Sequence, residues 1–468
     1  MGRGRSSRAD HLARARARID DDLDAHLERI RAYLRQPSVS ATGEGIEAGA
    51  DATASLIEAA GGEASIVRSE GHPEVLGRID AEGPTLLRYG MYDVQSADEP
   101  GWDSPPFEAA VRDLPGVGPS IVARGAANSK GCLAAFLLAV ASARAAGELP
   151  AAITLLVDGE EELGSIHLPR VIDTHRDYLR ADAAFDLDLM ADRSGACDVY
   201  LGCKGILSFR LRCRGGEWGG PRSSALHSSQ GVVIASPAWS LMRALDALVG
   251  PDESPRIPGV ARVEVPEEDE PFVAALAESL DLDAELAEAG ASRFKVTADA
   301  RRIVEARLYE PAVNLNGVAS GHTGGIKTII PNEAVAAVDI RLPYGSDLAA
   351  IQTAVREAVA GAAPEVEIEG FDVCPPARTS PDSVVARSMI RAHAEVGSAA
   401  RVWPSSPWWA PYHLLERDLA LPFAIGGAGH CGGAHAANEY ATIEGLRQHM
   451  HHCIVFMHRF AQEHESRA

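Results

Sequence analysis

Apolar and polar positions fall into two rhythms along this chain. Residues 19–34 carry apolar side chains at helical spacing and predict an amphipathic helix. Residues 85–90, Thr85-Leu86-Leu87-Arg88-Tyr89-Gly90, read as a buried strand. Residues 130–146 are rich in Ala and Leu and predict a helix, with Asn128 and Ser129 as cap candidates. Residues 151–157 and 183–189 predict two more strands. The first runs into Asp158-Gly159-Glu160-Glu161-Glu162, and the second ends near Asp188. Strands alternating with helices predict an α/β fold with a mainly parallel central sheet. Ligands of such sheets bind beyond the carboxyl ends of the strands, where the polar clusters of this chain fall.

The rhythm changes near Lys204. Residues 206–213 and 334–342 alternate as half-exposed strands, and residues 236–249 predict an amphipathic helix. Between them, residues 251–271 are rich in Pro and acid and include Glu267-Glu268-Asp269-Glu270, which reads as a solvated loop. The α/β texture resumes near Arg378, with a last buried strand at 421–425. The expected organisation is a first catalytic part over 1–203, an inserted α+β domain over 204–378 and a second catalytic part over 379–468.

Length and charge narrow the function. A chain of 468 residues allows about three domains, or two with one interrupted. Lys and Arg number 44 against 66 Asp and Glu, a formal net charge of −22. That balance excludes nucleic acid and anionic lipid as expected partners, because both need a basic footprint. No stretch approaches the ~18 apolar residues of a membrane span. Arg3, Arg5, Arg8, Arg14, Arg16 and Arg18 form a basic leader without a following apolar region, so the expectation is a frayed segment rather than a signal peptide. The seven cysteines form no C-x-x-C pair, which predicts free thiols and a cytoplasmic location.

Four stretches carry the chemistry: Tyr89-Gly90-Met91-Tyr92-Asp93-Val94-Gln95; Ala123-Arg124-Gly125-Ala126-Ala127-Asn128-Ser129-Lys130-Gly131; Asp158-Gly159-Glu160-Glu161-Glu162-Leu163-Gly164-Ser165; and Ala434-His435-Ala436-Ala437-Asn438-Glu439. With Trp102 and Ser104-Pro105-Pro106-Phe107, they closely resemble the M20 metallopeptidase family, in its carnosinase-like dipeptidase and amidohydrolase branch. The resemblance implies a zinc-peptidase-like catalytic domain built on two zinc-type ions, interrupted by a lid domain that dimerises. It implies that Glu161 is the general base, that Glu162, Asp188 and His435 are metal ligands, and that Asp93 orients the first histidine ligand.

Two positions depart from that pattern. The first histidine ligand falls on Met91, and the carboxylate that bridges both metals falls on Asn128. A thioether is a soft, neutral donor that suits Cu(I) rather than zinc. An amide oxygen is neutral and bridges two dications far less strongly than a carboxylate. The expected cofactor is therefore zinc or manganese with at most one tightly bound ion, held by Glu162, His435 and weakly by Asn128, or none. In a cleft short of metal charge, Glu161 beside Glu162 is expected to have a raised pKa, which suits a proton carrier. A solvated acidic turn is the plainer alternative for Glu160-Glu161-Glu162.

The inserted domain carries further family positions. The resemblance makes His227 a lid histidine that reaches across a homodimer, and makes Thr328 and Arg341 partners of the substrate carboxylate. Arg341 as a strand-edge charge is the alternative. The stretch Trp403-Pro404-Ser405-Ser406-Pro407-Trp408-Trp409-Ala410-Pro411-Tyr412 replaces a Gly/Ser-rich turn of the relatives. Its three tryptophans, Trp403, Trp408 and Trp409, suggest a bulky apolar or aromatic substrate side, or packing under the loop. Gly427-Ala428-Gly429-His430-Cys431-Gly432 fits a dinucleotide fingerprint, but no helix is expected to open there. His449, His451 and His452 with Cys453 are expected on the surface of a C-terminal helix. No G-x-S-x-G elbow occurs. Three function classes remain: a dipeptidase-like amidohydrolase with a depleted metal site acting on a small, peptide-like, carboxylate-bearing substrate; a biosynthetic enzyme reusing the pocket for metal-independent acyl transfer, condensation or proton transfer; and a non-catalytic binding relative.

Overall fold

Strands rich in Leu, Val and Ile assemble the catalytic core, because only a sheet covered on both faces can bury such runs. The computed structural model describes residues 2–147 and 149–466. An eight-stranded sheet has the order Glu63–Val67, Glu74–Ile79, Ala152–Asp158, Thr85–Met91, Ala183–Leu187, Phe423–Gly426, Ala196–Tyr200, Ala399–Trp403. Thr85–Met91 lies parallel to both Ala152–Asp158 and Ala183–Leu187, and Phe423–Gly426 extends the parallel set. Antiparallel pairing is confined to the Glu63–Val67 and Glu74–Ile79 side and to one bridge, Ile425 with Tyr200. Met91 stands opposite Asp158 in register, so the two acidic turns leave the sheet side by side. The helix Lys130–Ala145 is buried along nearly its whole length and packs against the C-terminal helix Ile443–Glu465.

The chain divides into two compact units, one of Met1–Gly202, Arg378–Pro404 and Ala410–Ala468, the other of Cys203–Ala377 and Ser405–Trp409. The second unit is α+β. Its antiparallel sheet has the order Ala312–Ser320, Glu333–Leu342, Gly205–Arg214, Val366–Cys374. Leu207, Phe209, Leu211 and Cys213 point into its core together with Ala334, Ala336, Val338 and Ile340, as the alternation predicts. The helices Pro237–Leu248 and Leu348–Ala362 cover that face.

Four expectations are corrected. The basic leader is not frayed but belongs to the helix Gly2–Asp21, and residues 19–34 are not one helix, since a second runs over Leu23–Leu34 after a break at Asp22. Ala15 and Ile19 are buried, Arg8 pairs with Glu465, and Arg16 donates to His451 Nδ1 at 2.9 Å. The side chains of Arg3 and Arg5 lie outside the described residues. The acidic run 267–270 is not wholly solvated, because Asp269 is buried and accepts from the Tyr309 hydroxyl at 2.8 Å. The C-terminal histidines are not on the surface: His449, His451 and His452 are all buried, since their helix is a central strut rather than a covering one. The seven cysteines are free thiols. No helix among the described residues is long and apolar enough to cross a membrane. After Gly429 the chain enters the short strand Cys431–Gly432 rather than a helix, as expected.

Candidate active site

Two strand ends and two loops of the first unit bring the four motifs together. Asp93 follows the strand Thr85–Met91 and is fully buried. Its carboxylate accepts the backbone N–H groups of Glu161 at 3.1 Å and Glu162 at 3.0 Å, which fixes the turn after Ala152–Asp158. With Met91 in the preceding place there is no imidazole for Asp93 to orient, and the carboxylate holds main chain instead. Asp158 reinforces the turn, accepting from Glu160 N at 2.8 Å and the Ser165 hydroxyl at 2.5 Å.

Glu162 is the hub of the pocket. Its Oε1 lies 2.8 Å from Asn128 Nδ2 and 3.1 Å from His435 Nε2, and its Oε2 accepts from Gln95 Nε2 at 2.8 Å. Asn128 Nδ2 also lies 2.8 Å from His435 Nε2. The Ser129 hydroxyl lies 3.1 Å from both Asn128 Oδ1 and Asp188 Oδ2. Hydrogen bonds thus link Glu162, Asn128, His435, Ser129 and Asp188 in one network, with Glu161 next to Glu162 in the chain. Met91 is buried at the end of its strand.

An ion-pair clamp ties the loops down. Arg124, 1% exposed, donates to Glu439 Oε2 at 2.7 Å, to Glu99 Oε1 at 2.5 Å and to Ser96 O at 3.0 Å, and lies over the Trp102 ring. Glu439 Oε1 in turn accepts the backbone N–H groups of Ala127 at 2.8 Å and Asn128 at 2.9 Å. Behind Asp188 sits a second buried pair, Arg88 with Asp186, to which the Tyr412 hydroxyl donates at 2.7 Å.

Crowded carboxyls shift one another. Burial, with Glu162, Asp93 and Asp158 nearby, pushes the Glu161 carboxyl well above its ordinary range. Burial and Asp186 push Asp188 up to about 7. The hydrogen bond to Glu162 raises His435.

Among the described residues no three His, Cys, Asp or Glu side chains are grouped so as to hold a metal ion. The Asn128 amide places its N–H donors between Glu162 and His435, where bridging an ion pair requires an anionic oxygen.

In the second unit, the short ladder of Leu226–His227 with Ile329–Ile330 brings His227 Nε2 within 3.3 Å of Thr328 Oγ1. Arg341 lies on Glu333–Leu342, its Nε 3.3 Å from Asp339 Oδ1, and among the described residues no hydrogen bond joins it to His227. Trp408 O accepts from the Ser406 hydroxyl at 2.9 Å, and the indole N–H of Trp409 is buried without a partner. Trp403 packs on Tyr200 and donates to Asp198, so this tryptophan serves packing.

Sequence reasoning missed Gln95, Arg124, Glu439 and Tyr412 as site residues, although the first three lie inside the recognised stretches. Their roles are contacts across loops, which spacing along the chain does not encode.

The profile of Peptidase family M20/M25/M40 matches residues 89–463. An M20 family metallo-carboxypeptidase, Sso-CP2 from Sulfolobus solfataricus, superposes with a TM-score of 0.85 at 30% identity, covering 93% of this chain and 99% of that one. The Cys-Gly metallodipeptidase DUG1 of Candida albicans is 30% identical over 280 residues, 58% of this chain and 55% of its own length. The Beta-Ala-His dipeptidase of Homo sapiens is 25% identical over 295 residues, 60% of this chain and 55% of its own. The chain thus spans little more than half the length of the curated relatives it matches. Fold, motif order and these likenesses agree, and the chain belongs to peptidase family M20/M25/M40.

Proposed function

We propose that this chain is a dipeptidase-like amidohydrolase acting on an amide or peptide bond of a small carboxylate-bearing substrate, in a pocket that does not assemble the paired-ion centre of its family. The observation that carries the reading is Asn128 Nδ2 at 2.8 Å from both Glu162 Oε1 and His435 Nε2. At most one zinc or manganese ion is tightly held, by Glu162 and His435 with weak help from Asn128. Glu161 is the proton carrier, and its raised carboxyl supports that role, since a group that shuttles protons works best with a pKa near ambient pH. Thr328 and Arg341 receive the substrate carboxylate, a guanidinium fork meeting both of its oxygens. His227, beside Thr328, serves the site of a second copy of the chain in a homodimer. Trp408 and Trp409 face the apolar side of the substrate.

Elemental analysis after dialysis without chelator, paired with a panel of dipeptides, tests this. The expected result is cleavage by protein carrying fewer than two ions per chain. Two equivalents of zinc or manganese per chain overturn it.

A further inference from the structure

A cavity apart from the carboxyl cluster lies at the other end of the central strands. Its volume is about 480 Å³, within the ~300–1,000 Å³ range of small-molecule sites. Glu82 and Gly83 precede the strand Thr85–Met91, and Pro150 precedes Ala152–Asp158. The cavity therefore sits at the amino ends of two strands whose carboxyl ends lead to Asp93 and Glu161. We infer that it is a binding site for a phosphate group, with Arg14 as the anchoring cation beside the buried pair His11 and His458.

Two helices supply the cations. Arg8, His11 and Arg14 recur every three residues along Gly2–Asp21 and so share one face of it. His458 and Glu465 stand two turns apart on Ile443–Glu465. Both histidines are buried, with His11 Nδ1 3.4 Å from His458 Nε2. His11 Nε2 lies 3.1 Å from Ala143 O, which can only accept, so that nitrogen carries the ring hydrogen and Nδ1 receives the hydrogen of His458. Burial pushes His458 down to about 4, and His11, Arg8 and Arg459 push it the same way. Those cations make the surroundings of the pair positive, which favours an anion there over a metal ion.

Arg14 is the cation left for a ligand. Arg8 is taken by Glu465, whereas no carboxylate among the described residues pairs with Arg14. The Nε of Arg14 donates to Ala146 O at 3.3 Å, which leaves the outer edge of the guanidinium to meet two phosphate oxygens at once. Gly147 keeps the approach clear. Its φ is 141°, and a β-carbon there would stand 3.5 Å from His11 Cδ2 and 3.8 Å from Arg14 Nη2. Glu82 is the opposing charge, and it is exposed, where solvent and salt screen it. A phosphate held here ties the first helix, the last helix and the loop after Lys130–Ala145 to one another.

Equilibrium dialysis of the full chain against radiolabelled inorganic phosphate, with chloride holding the ionic strength constant, tests this. The expected result is saturable binding that Arg14→Gln weakens about tenfold, the size of one lost hydrogen bond to a charged group. Arg18→Gln should leave binding unchanged. Arg18 stands on the same helix, pairs with Asp22 and lies outside the cavity, so it controls for the loss of one positive charge. Glu82→Gln removes the opposing charge and should tighten binding about threefold. No saturable binding, an equal loss in Arg14→Gln and Arg18→Gln, or full affinity in folded Arg14→Gln overturns the site. If Arg14→Gln does not fold, Glu82→Gln decides alone, and unchanged or weaker binding in it overturns the site. Competition with ribose 5-phosphate separates the two sources of the group: displacement at lower concentration than unlabelled phosphate identifies a phosphate ester, the reverse identifies free phosphate, and either supports the site.

Discussion

Burial of histidines makes the catalytic unit sensitive to acid in a way that one substitution isolates. His393, on the helix Val384–Val396, is fully buried, its ring 4.1 Å from that of His452 on Ile443–Glu465. Its Nδ1 meets Ser398 Oγ at 2.9 Å, and its Nε2 is buried without a partner. Burial pushes it down to about 4 from 6.5. Above pH 6.5 neither the folded nor the unfolded chain protonates it, and it contributes no pH dependence. Between 6.5 and about 4 the unfolded chain binds the proton and the folded chain does not, so stability falls as pH falls. Each pH unit in that window costs about 1.4 kcal/mol, roughly 2 kcal/mol by pH 5 and about 3.4 kcal/mol across the window. In His393→Phe the ring remains and the titration is removed. The variant loses the Ser398 hydrogen bond, about 1 kcal/mol at every pH. Relative to wild type it should therefore gain about 2 kcal/mol between pH 7.5 and pH 5.0. Urea unfolding followed by circular dichroism at the two pH values measures this, and titrating groups out of contact with His393 cancel in the comparison. An equal stability difference at both would refute the argument that burial holds His393 neutral.

Other substitutions probe the pocket. Glu161→Gln keeps shape and removes basicity, and turnover should fall about 10²-fold or more; near-normal turnover removes Glu161 from the mechanism. Met91→His with Asn128→Asp restores an imidazole and a bridging carboxylate, and the doubly substituted chain should bind more zinc by elemental analysis. Equal metal content would mean the pocket has diverged beyond these two positions. Asp186→Ala leaves Arg88 buried without its partner and should cost about 3–5 kcal/mol in urea unfolding, while a loss under 1 kcal/mol would show that the pair is not closed. Mixing inactive His227→Ala with inactive Glu161→Gln chains should restore part of the activity if His227 serves the partner's site; no rescue after verified subunit exchange counts against a shared site.

The parts of the fold written in periodicity were legible. The buried strand Thr85–Met91 and the alternating strands Gly205–Arg214 and Glu333–Leu342 lie within a residue or so of their expected spans, because burial on both faces or on one leaves a distinct pattern. The C-terminal helix was misread, since three histidines in four positions look polar and only the surrounding helices make them interior. Ser129 was read as a cap because it precedes a helix. What redirected it is Asp188, 59 residues away. At the pocket, residue types alone identified Met91 and Asn128 as departures. They could not tell that Asn128 would turn its amide toward Glu162, or that Gln95 would occupy the other oxygen, because both depend on loops brought together by Arg124.

The way Glu439 grips the loop has a consequence for the history of such a pocket. It holds residue 128 by the main chain, at 2.9 Å from the backbone N–H, and asks nothing of the side chain. The fold therefore specifies where residue 128 stands without specifying what it is. A carboxylate and an amide are nearly the same size there, and exchanging one for the other alters charge and donor direction while the loop keeps its path. A metal centre can be lost or regained at such a position by single-base steps, with the scaffold blind to the change, so chemistry in this pocket is free to drift faster than its architecture.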